Sequence, residues 1–487
     1  MEFVRCAATT YTNLIGKALA IEPGRSHYSS SYTAGGEAPC PAVRKITAGC
    51  SVLNTGLDRL PPGLRKIAGN AGWLMVDRIV RMGFGVVVGV LIARYLGPSL
   101  FGSLSFATSF IALFASLATL GLDSIVARNI VRAEAEAPRI LGTAFVLRMG
   151  AAVAAALISV IVVRTIQPDD GVTRLLVGIL SLGYVFQACD TIDAYFQANV
   201  RSKLTVLAKN AAFLGIAGVR ILLIYWRAPL WSFAAAQVAE LALGALGMTF
   251  AYVRGGGRMM QWRFEARRAA ELLRQSWPIM LTGISIMIYM RIDVVMLKLM
   301  QGDHAVGIYG TATRLSEAWY FVAVAIVSSV SPAIIRAKGN PGLYYGRIAK
   351  LFSLMTFIGM FVGAAVALCS HWIIHVLYSD EFLPAAPVLA VHVWASVFVF
   401  LGLAQDPWNI SENLMKLGFY RTLAGAIINV GLNLVLIPRY SAMGAAVATV
   451  VSYSIAGVFA NAFDARTRPI FLLQLKSFYF NRLWEPM

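Results

Sequence analysis

The sequence predicts an all-α polytopic membrane protein of twelve transmembrane helices. Of its 487 residues, 58% are hydrophobic and only 14% charged, whereas an ordinary soluble domain is about 25% charged. From Ala71 onward, apolar runs of about 20 residues recur, the length needed to span a bilayer. These runs lack the alternation of barrel strands, which leaves the helix as the form that satisfies its own backbone in lipid.

The elements follow in order. Residues 1–70 are rich in Ser, Thr, Gly and Pro (HYSSSYTAGGEAPCPAV) and hold no apolar core of the kind a secretory signal needs. They read as a disordered cytoplasmic tail. Predicted spans occupy 71–97, 101–123, 141–163, 173–193, 206–226 and 229–252, then 276–299, 311–333, 351–377, 384–404, 419–437 and 443–464. The expected organisation is an N-terminal six-helix bundle over 71–253, a basic linker over 254–275, a C-terminal six-helix bundle over 276–465 and a tail over 466–487.

Twelve spans put both termini on one side, and the positive-inside rule identifies that side. Its loops hold Arg128, Arg132, Arg139, Arg201, Lys203 and Lys209, the arginines from Arg254 to Arg274, and Arg336, Lys338, Arg347, Lys350, Lys416 and Arg421. The opposite loops hold Arg94, Arg164, Arg174, Arg227, Lys298, Arg314 and Arg439. Both termini and the linker are therefore expected in the cytoplasm. The net charge of +18 is read as topology, with no nucleic-acid partner.

Several function classes are excluded or disfavoured. No GxxxxGK[ST] occurs, so the chain does not bind nucleotide through a P-loop. Short outer loops leave no room for an external catalytic domain, which argues against a membrane glycosyltransferase or polymerase. The five cysteines form no CxxC pair, and His371 and His375 lack the glutamate of an HExxH motif. No catalytic residue, metal or organic cofactor is expected. The energy source is then an ion gradient, H+ or Na+, or another protein.

An offset of 205 residues lays LGPSLFGSLSFAT (Leu96–Thr108) over QGDHAVGIYGTAT (Gln301–Thr313), matching Gly97 to Gly302, Gly102 to Gly307, Ala107 to Ala312 and Thr108 to Thr313. Each segment begins at the predicted turn after the first helix of a half. Two parallel halves of this kind place a substrate between rocking bundles.

Charge inside hydrocarbon costs at least about 2.5 kcal/mol per residue, so each intramembrane ionisable group needs a reason. Asp77 and Arg81 are four apart and can pair on one helix face. Arg78 and Arg81 either wall an aqueous cavity or snorkel to the interface. Arg148 and Arg220 add to a basic N-terminal half, although snorkelling also accounts for Arg220. Arg291 is the clear cavity candidate of the C-terminal half. Together the five arginines favour an anionic substrate.

Glu240 falls near a midplane and is a candidate proton carrier, or else a neutral residue hydrogen-bonded within the bundle. Gln187, Asp190, Asp193 and Gln197 form a stripe whose oxygens suit a hard cation such as Na+, or simply a wet helix end. Arg291 and Asp293 are two apart and cannot pair, so they are expected to seek different neighbours: Arg291 faces the cavity while Asp293, an ion-coupling candidate, caps a helix contact near the outer surface, or else both lie near the interface. Arg314 and Glu317, three apart, are expected to pair locally. Asn429 and Asn433 read as interhelical glue.

ARYLGPSLFGSLSFA, IYMRIDVVML followed by AVGIYGTATRLSEAWYF, and NVGLNLVLIPRYSAMGAAVATVVSYSIA resemble the Wzx-type polysaccharide-biosynthesis branch of the multidrug/oligosaccharidyl-lipid/polysaccharide exporter superfamily. The resemblance covers about residues 71–480 and leaves out the N-terminal tail. It implies two six-helix bundles around a V-shaped, alternating-access cavity. It also implies a flippase for undecaprenyl-diphosphate-linked oligosaccharide units in the bacterial inner membrane, coupled to H+ or Na+. Membrane lipids, a polysaccharide polymerase and a chain-length regulator are the implied partners. Arg291 and Asp293 lie in the matching RID segment. Arg78, Arg81, Arg148, Arg220 and Glu240, with Asp190 and Asp193, are candidates by depth and charge alone. A cation-coupled multidrug antiporter of the same superfamily and a non-transporting scaffold stand as alternatives.

Overall fold

The computed structural model describes the backbone of residues 62–479, and among residues 62–80 only the side chains of Trp73 and Asp77. Residues 1–61 of the tail expected over 1–70, and residues 480–487, lie outside the described residues, as does the side chain of Arg78. The chain forms α1 (Pro62–Thr119), α2 (Asp123–Arg132), α3 (Ala137–Ile166), α4 (Gly171–Ser181), α5 (Gly183–Gln187), α6 (Asp190–Ala198), α7 (Ser202–Tyr225) and α8 (Leu230–Arg254). After the linker come α9 (Ala266–Glu317), α10 (Tyr320–Arg336), α11 (Pro341–Leu377), α12 (Ala385–His392), α13 (Ala395–Ser411), α14 (Met415–Gly457) and α15 (Arg468–Ser477). Helix α1 begins at Pro62, inside the stretch expected to be tail. Proline suits a first turn because its missing N–H has no partner there, and the polar GLRKIAGNAG that follows is helical without being apolar.

Nine segments among the described residues are long and apolar enough to cross a membrane. Three of them are broken by one residue of non-helical backbone: Gly97 (φ 70°, ψ 171°), Gly302 (φ 82°, ψ −175°) and Ser441 (φ 50°, ψ −130°). These breaks are hairpin turns. Across the second, Arg291 meets Glu317 and Asp293 meets Tyr309. Across the third, Asn429 donates to Ser452 at 3.2 Å. Positive φ is open to glycine at little steric cost, and Gly97 and Gly302 are the residues that the 205-residue offset aligns. Divided at the three turns, the nine segments yield twelve apolar helical pieces.

The turns at Gly97 and Gly302 pack against each other. A Cβ built on Gly102 would overlap the carbonyl of Asp303, and one built on Gly307 would overlap the carbonyl of Pro98. The same offset maps Pro98 onto Asp303 and Gly102 onto Gly307. The contact is thus reciprocal, as a local pseudo-two-fold requires, and it joins the two halves backbone to backbone. Around it sits the largest apolar cluster, including Phe101, Phe106, Val177, Leu297, Val306 and Phe382.

Polar contacts reinforce this turn end of the molecule. Lys298, almost fully buried, bonds Asp170 at 2.8 Å and Asp303 at 2.5 Å, tying the α3–α4 loop of the first half to the second. Asp170 also caps α4, accepting from the Thr173 backbone N–H at 2.9 Å and hydroxyl at 2.6 Å. Burial pushes the Asp170 carboxyl up, but the Lys298 and Thr173 hydrogen bonds outweigh it and hold the group down at about 2. Because this value lies below the unfolded one, the stabilisation is complete above about pH 4 and lost as pH falls through about 2. Lys298→Met strands two partly exposed carboxylates, and we expect a loss of roughly 2–3 kcal/mol, read as a lower thermal midpoint at pH 7.

The opposite end carries the linker, which is docked on α3. Gly142 faces the Arg263 backbone so closely that a Cβ there would lie 2.5 Å from its nitrogen. Thr143 donates to the Arg263 carbonyl at 3.4 Å and accepts from the Glu265 N–H at 3.1 Å. Arg268 of α9 completes the clasp through Glu136 and Glu265.

Candidate functional site

A cavity of about 710 Å³ lies between the halves, lined by residues of α1, α5, α7, α8 and α9 and by Ala318. Its charged lining consists of Arg81, Arg220, Arg291, Arg314, Glu240 and Glu317, leaving two positive charges in excess. Hence three of the arginines expected from the sequence come together here. Gln187 and Gln237 line the same space.

The glutamates hold most of the cations. Arg220 pairs with Glu240 at 3.1 Å and Arg81 reaches the other oxygen of the same carboxylate at 3.5 Å, while Arg81 also bonds Asp77 at 2.9 Å. Arg291 grips Glu317 through two parallel bonds of 3.0 and 3.3 Å, the planar fork matching the carboxylate. Glu240 therefore bridges α1 and α7, and Glu317 is spent on Arg291.

Arg314 is the exception. The local pair expected with Glu317 does not form, because Arg291, on the facing arm of α9, reaches that carboxylate across the Gly302 hairpin. Arg314 lies against Gly89 and over the Phe101 ring at 5.3 Å, with no ion pair among the described residues. Its side chain is nonetheless exposed, into the cavity it lines. A guanidinium with five donors and no carboxylate, set in a walled space, is an anion receptor. Assigned by the positive-inside count to an outer loop, it is the cavity arginine that sequence reasoning missed. The 205-residue offset sets it over Ser109, which gives no cue. Its i, i+3 neighbour Glu317 and the nearby RID segment together would.

Arg148 corrects another expectation. It is fully buried away from the cavity, donating to Asp123 at 2.6 Å, and its Nε and Nη1 have no partner. About three turns into α3 it meets the first residue of α2, so depth in sequence did not translate into depth in the cavity.

The remaining acidic candidates separate. Asp190 and Asp193 both bind Lys209, at 2.8 and 3.3 Å, so an ammonium occupies the place in which a metal cation was expected. Asp293 is buried outside the cavity lining, where it accepts from the Val294 N–H at 2.8 Å and from Tyr309 and Thr449. It thus turns away from Arg291, as their spacing requires. On α14, Asn433 donates to Asn429 at 2.9 Å and leaves its own side-chain oxygen unpaired.

A helical membrane protein with two repeat-related halves around a basic central cavity belongs to the class of alternating-access transporter folds. The profile of the polysaccharide biosynthesis protein family matches residues 67–338, and that of the MatE family matches residues 278–435. The chain belongs to the polysaccharide biosynthesis protein family. An uncharacterized membrane protein of Methanocaldococcus jannaschii is 27% identical over 195 residues, 39% of this chain and 45% of that protein. The chain thus aligns with less than half the length of that relative.

Among solved structures, the lipid II flippase MurJ in an inward closed conformation superposes with a TM-score of 0.67 at 15% identity, covering 84% of this chain and 90% of MurJ. An inward-facing multidrug resistance MATE transporter gives 0.61 at 15% identity over 84% and 100% of the two chains. A Pyrococcus furiosus transporter of the same superfamily, described as having a binding pocket of reversed polarity, gives 0.59 at 14% identity over 87% and 97%. At these identities the likeness is one of fold. It agrees with the family resemblance read from the sequence.

Proposed function

We propose that the protein is a flippase for undecaprenyl-diphosphate-linked oligosaccharide units in a bacterial inner membrane, with the linker end and both termini in the cytoplasm. The observation that carries this reading is Arg314, an unmatched guanidinium in a cavity with an excess of positive charge. A diphosphate is multiply negative and cannot cross about 30 Å of hydrocarbon unaided. Arginines supply it with charge-assisted hydrogen bonds, while a polyprenyl tail stays in lipid. The family assignment supports a role in polysaccharide synthesis, where a polymerase and a chain-length regulator would use the product.

Coupling to an ion gradient follows most simply through Glu240. Its carboxylate holds Arg81 and Arg220 at once, so its protonation would release two cations to the substrate. Asp190 and Asp193 are poorer candidates, since Na+ would have to displace Lys209. Asp293 stands apart from the anion cavity, with hydroxyl and amide groups around it. The match to the MatE family favours a second reading, a cation-coupled multidrug antiporter, but a cavity of net positive charge repels organic cations.

The test is gene deletion in a strain with no redundant flippase. Lipid-linked oligosaccharide should accumulate on the cytoplasmic leaflet, with rescue by the wild type and not by Arg291→Ala. Normal surface polysaccharide in the deletion strain overturns the proposal. In purified protein, Glu240→Gln should bind inorganic diphosphate roughly tenfold more tightly than wild type, because it leaves Arg81 and Arg220 without their shared partner.

A further inference from the structure

Beside the anion cavity lies a second, smaller one of about 180 Å³, whose lining includes Arg81, Phe186, Gln187, Asp190, Lys209 and Glu240. The two share Arg81, Gln187, Glu240 and Leu241. Their charge differs: the large cavity is net positive, whereas the small one sets Arg81 and Lys209 against Glu240 and Asp190 and is neutral.

We infer that this side pocket is a sugar subsite, which receives the first glycosyl residue attached to the diphosphate. The inference rests on the proposed function for the identity of the anion next door. A neutral polyhydroxyl ring needs donors and acceptors held at fixed positions, with an apolar surface for its C–H face, and it gains nothing from excess charge. The pocket has these features. Lys209 is pinned by Asp190 at 2.8 Å and by Asp193 at 3.3 Å, which leaves one ammonium proton and several carboxylate lone pairs uncommitted. Gln187 spends neither its carbonyl nor its amide on a described partner. Phe186 supplies an aromatic face, with Leu241 and Met248 beside it.

The volume is roughly that of six waters, room for a single pyranose ring and no more. The shared wall matters as much as the size. Arg81 and Glu240 face both spaces, so a ligand filling them together has a neutral ring joined directly to an anion, which describes a glycosyl diphosphate. The absence of a bulky side chain at Gly244 keeps the pocket open: a Cβ there would lie 3.8 Å from the Lys209 stem, in ordinary contact.

The experiment compares two probes on the purified full-length protein: farnesyl diphosphate and farnesyl-diphosphoryl-glucose. The sugar-bearing probe should bind about tenfold more tightly. Gly244→Val, which narrows the pocket, and Phe186→Leu, which removes the aromatic face while keeping much of its bulk, should each erase most of that gain. Both should leave the affinity for farnesyl diphosphate within about twofold of wild type. Thermal midpoints report whether each variant is folded, and Phe186→Leu decides alone if Gly244→Val is not. Equal affinity for the two probes in wild type, or a sugar gain that survives in folded variants, overturns the subsite. Failure of farnesyl diphosphate itself to bind overturns the proposed function instead.

Discussion

Arg314→Ala is expected to weaken binding of a polyprenyl diphosphate by roughly 10- to 100-fold, the worth of one charge-assisted hydrogen bond to an anion. The other three cavity arginines already have carboxylate partners, so part of what they offer a ligand is lost in breaking an existing pair. Arg314 has no pair to break among the described residues. Isothermal titration of purified protein with farnesyl diphosphate checks this, and an affinity within about twofold of wild type would remove Arg314 from the site. Arg148→Met is the counterpart. Its partner Asp123 is largely exposed and its own Nε and Nη1 are unpaired, so replacing a buried ion by an apolar side chain leaves no buried charge stranded. We expect unchanged diphosphate affinity and a thermal midpoint equal to or above that of wild type.

The second large effect is structural. Gly102→Val and Gly307→Val each put side-chain carbons where the opposite half has a carbonyl carbon and oxygen. Neither neighbour is a flexible side chain that can move aside. Such a clash belongs among the rare substitutions that cost more than about 4–5 kcal/mol. Both variants should fail to yield monodisperse, folded protein on size-exclusion chromatography. Gly83→Ala, at a position with open space around it, should behave as wild type.

The architecture was largely legible because its signals are long and local. Apolar runs report their own length, and the offset between Gly102 and Gly307 is visible as spaced glycines. What the offset could not say is that the two copies touch each other; that is a fact of packing between segments far apart in the chain. The arginines show the same boundary. Arg81, Arg220 and Arg291 were found by depth, and depth is a property of one helix. Arg314 was misplaced because its partner depends on what the facing arm of the hairpin presents, and Arg291 there takes Glu317 first. Arg148 failed in the opposite sense, since nothing in its own helix tells which neighbour closes over it. The spacing of Asp190 and Asp193 described a carboxylate pair, but the ammonium that fills it comes from Lys209 on another helix, counted in the sequence as a loop cation.

The backbone contact between the two glycine turns has a mechanical consequence. With no side chains in it, it has no rotamers to absorb displacement, so it acts as a stiff bearing at one extreme of the molecule. The first arm of α9 extends from it for about 35 residues, a lever of roughly 50 Å. A tilt of about 10° at the bearing would carry the far tip of that arm by roughly 9 Å. An adjustment at the turns too slight to disturb their packing is thereby amplified, at the linker end, to about the width of a helix.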